Sequence, residues 1–215
     1  MKKEVLARDI INTCLEMTRL GLNQGTAGNV SVRYQEGFLI TPSGIAYDKL
    51  TESHIVYIDA DGHHEAGKVP SSEWRFHQAV YQTRLDANAV VHNHSIHCTA
   101  VSILNRPIPA IHYMIAAAGG DDIPCAPYAT FGTKALSEHV AVAMKNRKAT
   151  LLQHHGLIAC EENLAKALWL AHEVEVLATL LLAILPIVDE VPVLSKEEIS
   201  VVLEKFKTYG LRVEE

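Results

Sequence analysis

The segment Ala89-Val90-Val91-His92-Asn93-His94 constrains the fold more than any other, because a short apolar run turns polar at its tip. Such a run reads as a buried β-strand, and alternate strand residues point to one face. His92 and His94 therefore share a face, and Asn93 takes the other. A fold that buries this strand must set two imidazoles side by side at its end, which is half of a tetrahedral metal site. A lone histidine at a strand end is ordinarily bonded to backbone. A pair at this spacing, with a second histidine-rich strand end elsewhere, points to a metal instead. That second end follows the expected strand 149–153 and reads His154-His155-Gly156. His154 and His155 cannot both face one way, and His155 is favoured because Gly156 beside it allows the sharp turn needed to aim it. Glu73, in the first turn of an expected helix, can add a carboxylate. Three neutral nitrogens and one oxygen suit zinc, with a position for substrate if the carboxylate leaves. His97 is out of phase with the pair and belongs to the following helix; His63, His64, His77 and His139 read as surface or packing residues.

Hydrophobic periodicity supplies the framework around this strand. Leu6, Ile10, Cys14, Met17 and Leu20 recur at helical spacing and predict a helix over 4–21. Strands are expected at 30–34, 38–41 and 54–58, and Cys125-Ala126-Pro127-Tyr128 edges the sheet. Helices are expected at about 72–83, 133–145 and 162–184, and Ser195-Lys196-Glu197-Glu198 is a capping box opening a last helix to about Lys207. The pattern favours an α/β three-layer sandwich, a central and mostly antiparallel sheet covered by helices, over a regular βαβ winding. A chain of 215 residues without a linker or repeat fits one domain, 1–215.

Composition narrows the function. With 48% hydrophobic and 20% charged residues the chain reads as soluble and globular. A net charge of −6 with no basic stripe argues against nucleic acid. Cys14, Cys98, Cys125 and Cys160 form no C-x-x-C pair, so packed thiols in a reducing cytoplasm are expected. No leader is expected at the N-terminus. Residues 176–188 are the most apolar, but Pro186 leaves them too short to span a bilayer, so they read as a core or subunit-contact helix with no membrane role. Three loops, 25–29, 41–44 and 71–72, are rich in Gly, Ser, Thr and Asn. Each alone is an ordinary turn or cap. Together they offer the N–H groups, hydroxyls and helix start that a phosphate needs without a basic patch. Glu73 then lies between the metal and phosphate constellations.

Taken in order, 23–31, Thr41-Pro42-Ser43-Gly44, Ser71-Ser72-Glu73, His92-Asn93-His94 and His154-His155-Gly156 resemble the motifs of the class II aldolase/adducin family, from about residue 5 onward. The stretches 108–114 and 206–211 are similar to its aldolase branch. The resemblance implies a zinc lyase of the aldehyde-lyase type. Its reaction would be the reversible aldol cleavage of L-fuculose 1-phosphate to dihydroxyacetone phosphate and L-lactaldehyde, through an enediolate whose charge the metal stabilises. It implies zinc on His92, His94 and His155, with Glu73 as resting fourth ligand and as acid/base. It implies phosphate against Thr26, Gly28, Asn29, Ser43, Gly44, Ser71 and Ser72, and Tyr113 and Tyr209 reaching a site shared with a neighbouring subunit of a cyclic homotetramer. Tyr113 is the implied proton donor to the aldehyde oxygen. An uncharged apolar stretch around Tyr113, and Tyr209 at the end of the last helix, fit such an interface. No lysine stands in a segment suited to a Schiff-base pocket, which disfavours an iminium route. The same residues leave open a pentulose-phosphate 4-epimerase of that family and, more remotely, a non-catalytic adducin-like interaction module.

Overall fold

The computed structural model describes residues 2–207. Seven strands form one sheet in the order β3-β2-β1-β4-β9-β8-β7. They are β1 (Asn29–Tyr34), β2 (Gly37–Ile40), β3 (Val56–Ile58), β4 (Ala89–Asn93), β7 (Cys125–Ala126), β8 (Ala149–Leu152) and β9 (Gly156–Glu161). Every neighbouring pair is antiparallel except the edge pair β7–β8. β5 (Ile108–Pro109) and β6 (Asp122–Ile123) make a separate two-stranded ribbon.

The strand alternation sorts side chains into two cores. On one face Val30, Val32, Ala89, Val91, Leu157 and Ala159 pack beneath α1 (Lys3–Arg19), α3 (Ile96–Ile103), α5 (Leu164–Ile184) and α6 (Lys196–Phe206). On the other, Ile40, Val56, Val90, Ile158 and Cys160 meet Phe76 and Val80 of α2 (Trp74–Thr83) and Leu136, Val140 and Met144 of α4 (Lys134–Met144). The result is the expected helix–sheet–helix sandwich. Because β4 alternates, His92 lies on the α2 side with Val90, and Asn93 points to the other. Cys14, Cys98 and Cys160 are buried free thiols, and Cys125 is half-buried.

Four local features differ from expectation. β9 had no strand assigned to it. It is a run of apolar residues buried on both faces, so it lacks the alternation that marks a half-buried strand. The segment 54–58 begins as a 3-10 turn at Glu52–His54, and only Val56–Ile58 pairs. The edge strand expected at 125–128 stops at Ala126, before Pro127. α2 starts at Trp74, so Glu73 is its N-cap residue instead of standing in the first turn. The Ser195–Glu198 capping box opens α6 as expected, its two bonds measuring 3.2 and 2.7 Å. By length and composition alone, the helix Leu164–Ile187 could cross a membrane. Here one face, including Leu170, Val174, Leu177 and Leu181, is buried over the sheet. Glu175 on the same helix accepts from the backbone N–H groups of His97 and Cys98, tying down the start of α3.

Candidate functional site

The four expected ligands converge. Glu73, His92, His94 and His155 offer ligand atoms all within 4.8 Å of one another. His92 Nε2 lies 3.1 Å from His94 Nε2 and 3.2 Å from Glu73 Oε2, and His155 Nε2 lies 3.1 Å from Glu73 Oε1. His92 Nδ1 is 2.8 Å from the carbonyl oxygen of Leu157 on the neighbouring strand β9. A carbonyl only accepts, so the proton sits on Nδ1 and the Nε2 lone pair faces the cluster. Glu73 Oε1 is buried without a hydrogen-bond donor. Lone pairs crowded together with few protons between them are what a divalent cation satisfies, and the N₃O set matches a metal that keeps one position exchangeable.

Electrostatics agree with that donor set. Burial alone would raise the Glu73 carboxyl, but positive charge at His92 and His155 beside it, whether carried by a proton or by a cation that replaces it, outweighs burial and holds it well below the usual carboxylate range. Burial, with the neighbouring His92 and His155, pushes His94 down to about 3. Glu73 is thus ionised and His94 neutral, the states in which each can bind metal.

The hairpin between β8 and β9 aims His155, though not as the sequence suggested. His154 takes the left-handed conformation, at φ 55°, and Gly156 does not. Gly156 is needed for space: a β-carbon there would lie 2.4 Å from the Asn93 carbonyl oxygen and 3.1 Å from His94 Cδ2. The absent side chain lets the hairpin close onto the end of β4.

All seven residues implied to hold phosphate line one cavity of about 380 Å³, together with Glu73, His94 and His155. Thr41 and Ser71 are joined by a backbone bond of 3.0 Å, which brings the second and third loops together. The first loop is held differently. A β-carbon on Gly28 would lie 2.6 Å from the His92 carbonyl oxygen, so only glycine fits there. Tyr47 donates to the Gly28 carbonyl at 2.8 Å, and Asn23 Oδ1 accepts from the His94 N–H at 3.3 Å. Among the described residues no lysine or arginine lines this cavity. Its anion-binding capacity comes from hydroxyls, backbone N–H groups and the start of α2.

The sequence reading gave no role to Asn23 or Tyr47, nor to the rim residues Tyr128, Phe131 and His154. It read His77 as a surface or packing residue, and His77 lies fully buried and bonded to Asn29, a partner the sequence did not indicate. Tyr113 is not brought to the cavity within one chain. It is half exposed, in a separate groove with Met114, Trp169 and Phe206. Tyr209 lies outside the described residues. His97 bonds Glu175 and stays away from the cluster, as its phase required.

Residues 8–182 match the family described as Class II Aldolase and Adducin N-terminal domain. An L-fuculose phosphate aldolase of Escherichia coli O6:H1 is 81% identical over 215 residues, covering 100% of both chains. A 5-methylthioribulose-1-phosphate/5-deoxyribulose-1-phosphate aldolase of Escherichia coli O45:K1 is 54% identical over 99% of this chain and 100% of its own. A solved L-fuculose 1-phosphate aldolase superposes with a TM-score of 0.92 at 40% identity, covering 96% of this chain and 98% of its own. With likeness of this extent along its whole length, the chain belongs to the class II aldolase/adducin family.

Proposed function

We propose that the chain is a zinc-dependent aldolase of sugar 1-phosphates. Its preferred substrate is L-fuculose 1-phosphate, cleaved reversibly to dihydroxyacetone phosphate and L-lactaldehyde. The observation that carries this reading is the adjacency of the Glu73–His92–His94–His155 cluster to a cavity lined by all three phosphate loops. The similarity to an L-fuculose phosphate aldolase at 81% identity, against 54% for a 5-deoxyribulose-type aldolase, supports the choice of sugar. Both relatives are aldolases, which favours cleavage over 4-epimerisation.

His92, His94, His155 and Glu73 would hold the metal. Bound there, zinc supplies a Lewis acid for negative charge developing on substrate oxygens. The chain's own residues do the rest. Ser71, Ser72, Ser43, Thr26 and the backbone at Gly28, Asn29 and Gly44 hold the phosphate and fix the three-carbon end. Glu73, ionised and hydrogen-bonded by Asn29 at 2.9 Å, takes the proton from the carbon beside the carbonyl and returns it. No lysine lines the cavity among the described residues, so a Schiff base has no donor there. Tyr113 donates a proton to the aldehyde oxygen, and Tyr209 reaches the same site. Both arrive from a neighbouring subunit of a cyclic tetramer, which agrees with Tyr113 lying exposed and away from its own chain's cavity. Residues 1–215 act as one domain, and the free thiols suit a cytoplasmic setting.

Incubation with L-fuculose 1-phosphate should release dihydroxyacetone phosphate stoichiometrically. Interconversion of pentulose phosphates without net release would instead establish the epimerase. The shared site is tested by dissociating and reassembling His92→Ala with Tyr113→Phe. Mixed oligomers should regain part of the activity, and none would be regained if Tyr113 served its own chain.

A further inference from the structure

Beneath the cluster runs a buried chain of polar side chains that leaves the sheet and enters α2. Tyr81 OH lies 2.8 Å from Ser31 Oγ, which lies 2.7 Å from His77 Nδ1. His77 Nε2 meets Asn29 Oδ1, and Asn29 Nδ2 reaches Glu73 Oε2 at 2.9 Å. Ser31 and His77 are fully buried, and Asn29, Glu73 and Tyr81 nearly so. His77 and Tyr81 lie four residues apart and so project from the same face of α2.

The hydrogens in this chain can be placed from one end. A metal-ligating carboxylate is deprotonated and accepts only, so Asn29, 2.9 Å from Glu73 Oε2, must present its NH₂ to it; the flipped amide would set oxygen against carboxylate. Asn29 Oδ1 then faces His77 and needs a donor, which puts the His77 proton on Nε2. Nδ1 is left as an acceptor and takes the Ser31 hydroxyl proton. Ser31 Oγ then accepts from the Tyr81 hydroxyl, the only direction left. Burial holds His77 neutral, pushed down to about 3, so the ring carries a single proton and cannot satisfy both neighbours as a donor.

We infer that His77 is a positioning residue: as the Nε2–H tautomer it locks the Asn29 carboxamide with its NH₂ toward Glu73, and so fixes the orientation of that carboxylate. Asn29 has only one hydrogen on Nδ2 left for a ligand, so its side chain serves Glu73 first and phosphate second. Without His77, Asn29 can rotate, and the carboxylate loses the donor that aims it. The inference rests on the reading of Glu73 as the base, but its first test needs no turnover.

Long-range ¹H–¹⁵N correlation on zinc-loaded protein labelled with ¹⁵N-histidine should show His77 as the Nε2–H tautomer, and an Nδ1–H tautomer would overturn the proposal. The second test is the rate of solvent-deuterium exchange into dihydroxyacetone phosphate by the zinc-loaded enzyme. His77→Phe should lower kcat for exchange by about 10- to 100-fold, the usual cost of losing an outer partner of a ligand, with KM little changed. His77→Gln, whose amide can still donate to Asn29 Oδ1, should recover most of the loss. A role in packing alone would lower the melting temperature of both variants and leave exchange alike in the two, which refutes the inference. If the wild-type enzyme catalyses no exchange, the aldolase reading fails; the tautomer measurement still decides the hydrogen-bond chain. If His77→Phe does not fold, the tautomer and His77→Gln carry the decision.

Discussion

Gly156→Ala should damage the metal cluster without touching a ligand. The added β-carbon would lie 2.4 Å from the Asn93 carbonyl oxygen, where ordinary contact is 3.4–4 Å. The hairpin and the end of β4 must therefore part by several tenths of an ångström or more. The nearer partner is backbone and cannot swing aside: Asn93 is paired to Leu157, and His94 follows it directly. Overpacking of this kind costs about 1–3 kcal/mol. For a chain this size, each kcal/mol lowers the melting temperature by about 2–4 °C. The displacement falls between His94 and His155, so zinc affinity should fall along with stability. Misplacement of about 1 Å can cost about a hundredfold in rate. Gly67→Ala serves as the control, since a β-carbon there meets nothing within 4 Å and only the positive φ of 79° is penalised. It should lower stability by about 1 kcal/mol and leave zinc binding intact. The assays are thermal unfolding with and without chelator, and competition for zinc against a chromophoric chelator. A Gly156→Ala protein that binds zinc with wild-type affinity would refute the close-approach argument.

Chelation should abolish cleavage and zinc should restore it, while circular dichroism of the chelated protein shows the fold largely kept; full turnover in proven metal-free protein would sink the metal mechanism. Glu73→Gln should cut solvent-deuterium exchange into dihydroxyacetone phosphate by about 10²–10⁴-fold while leaving phosphate binding largely intact, read by isothermal titration. The metal-free chain should lose stability as pH falls from about 6.5 toward 5. Burial depresses His77 to about 3, so in this window the unfolded chain takes up a proton that the folded one refuses. The slope for that group is about 1.4 kcal/mol per pH unit, and melting curves of His77→Gln should show the slope reduced. An identical slope would mean that His77 is protonated in the folded state.

The candidate metal quartet was legible because its signals are local. Two imidazoles at i and i+2 of a strand, and a histidine beside a glycine after another strand, state their directions in the sequence itself. The glycine loops were legible as a set, since Gly28 and Gly44 both require positive φ. What escaped was everything built by contacts between distant segments. Asn23, Tyr47 and His77 act across 19 to 71 residues of chain, and no spacing rule links them to the loops they hold. β9 escaped because a strand buried on both faces shows no period of two. Gly156 was recognised for the wrong property: the left-handed turn is taken by His154, and the glycine is there to let two backbones touch.

The two edges of the main sheet restrict how copies of the chain can meet. β3 is three residues long and already bridged on one side by His64. β7 is two residues long, set between Pro124 and Pro127, neither of which has an N–H to lend. A foreign strand would find almost no unpaired backbone to extend. Self-association by sheet continuation, with the aggregation hazard it brings, is therefore blocked at both ends. Any contact between copies would be left to surfaces other than these edges, and the long helix α5 shows Trp169, Val176 and Leu180 to the outside. Side chains alone would then decide which copies recognise one another, so assembly can be retuned by surface substitution without altering the strands that carry the histidines.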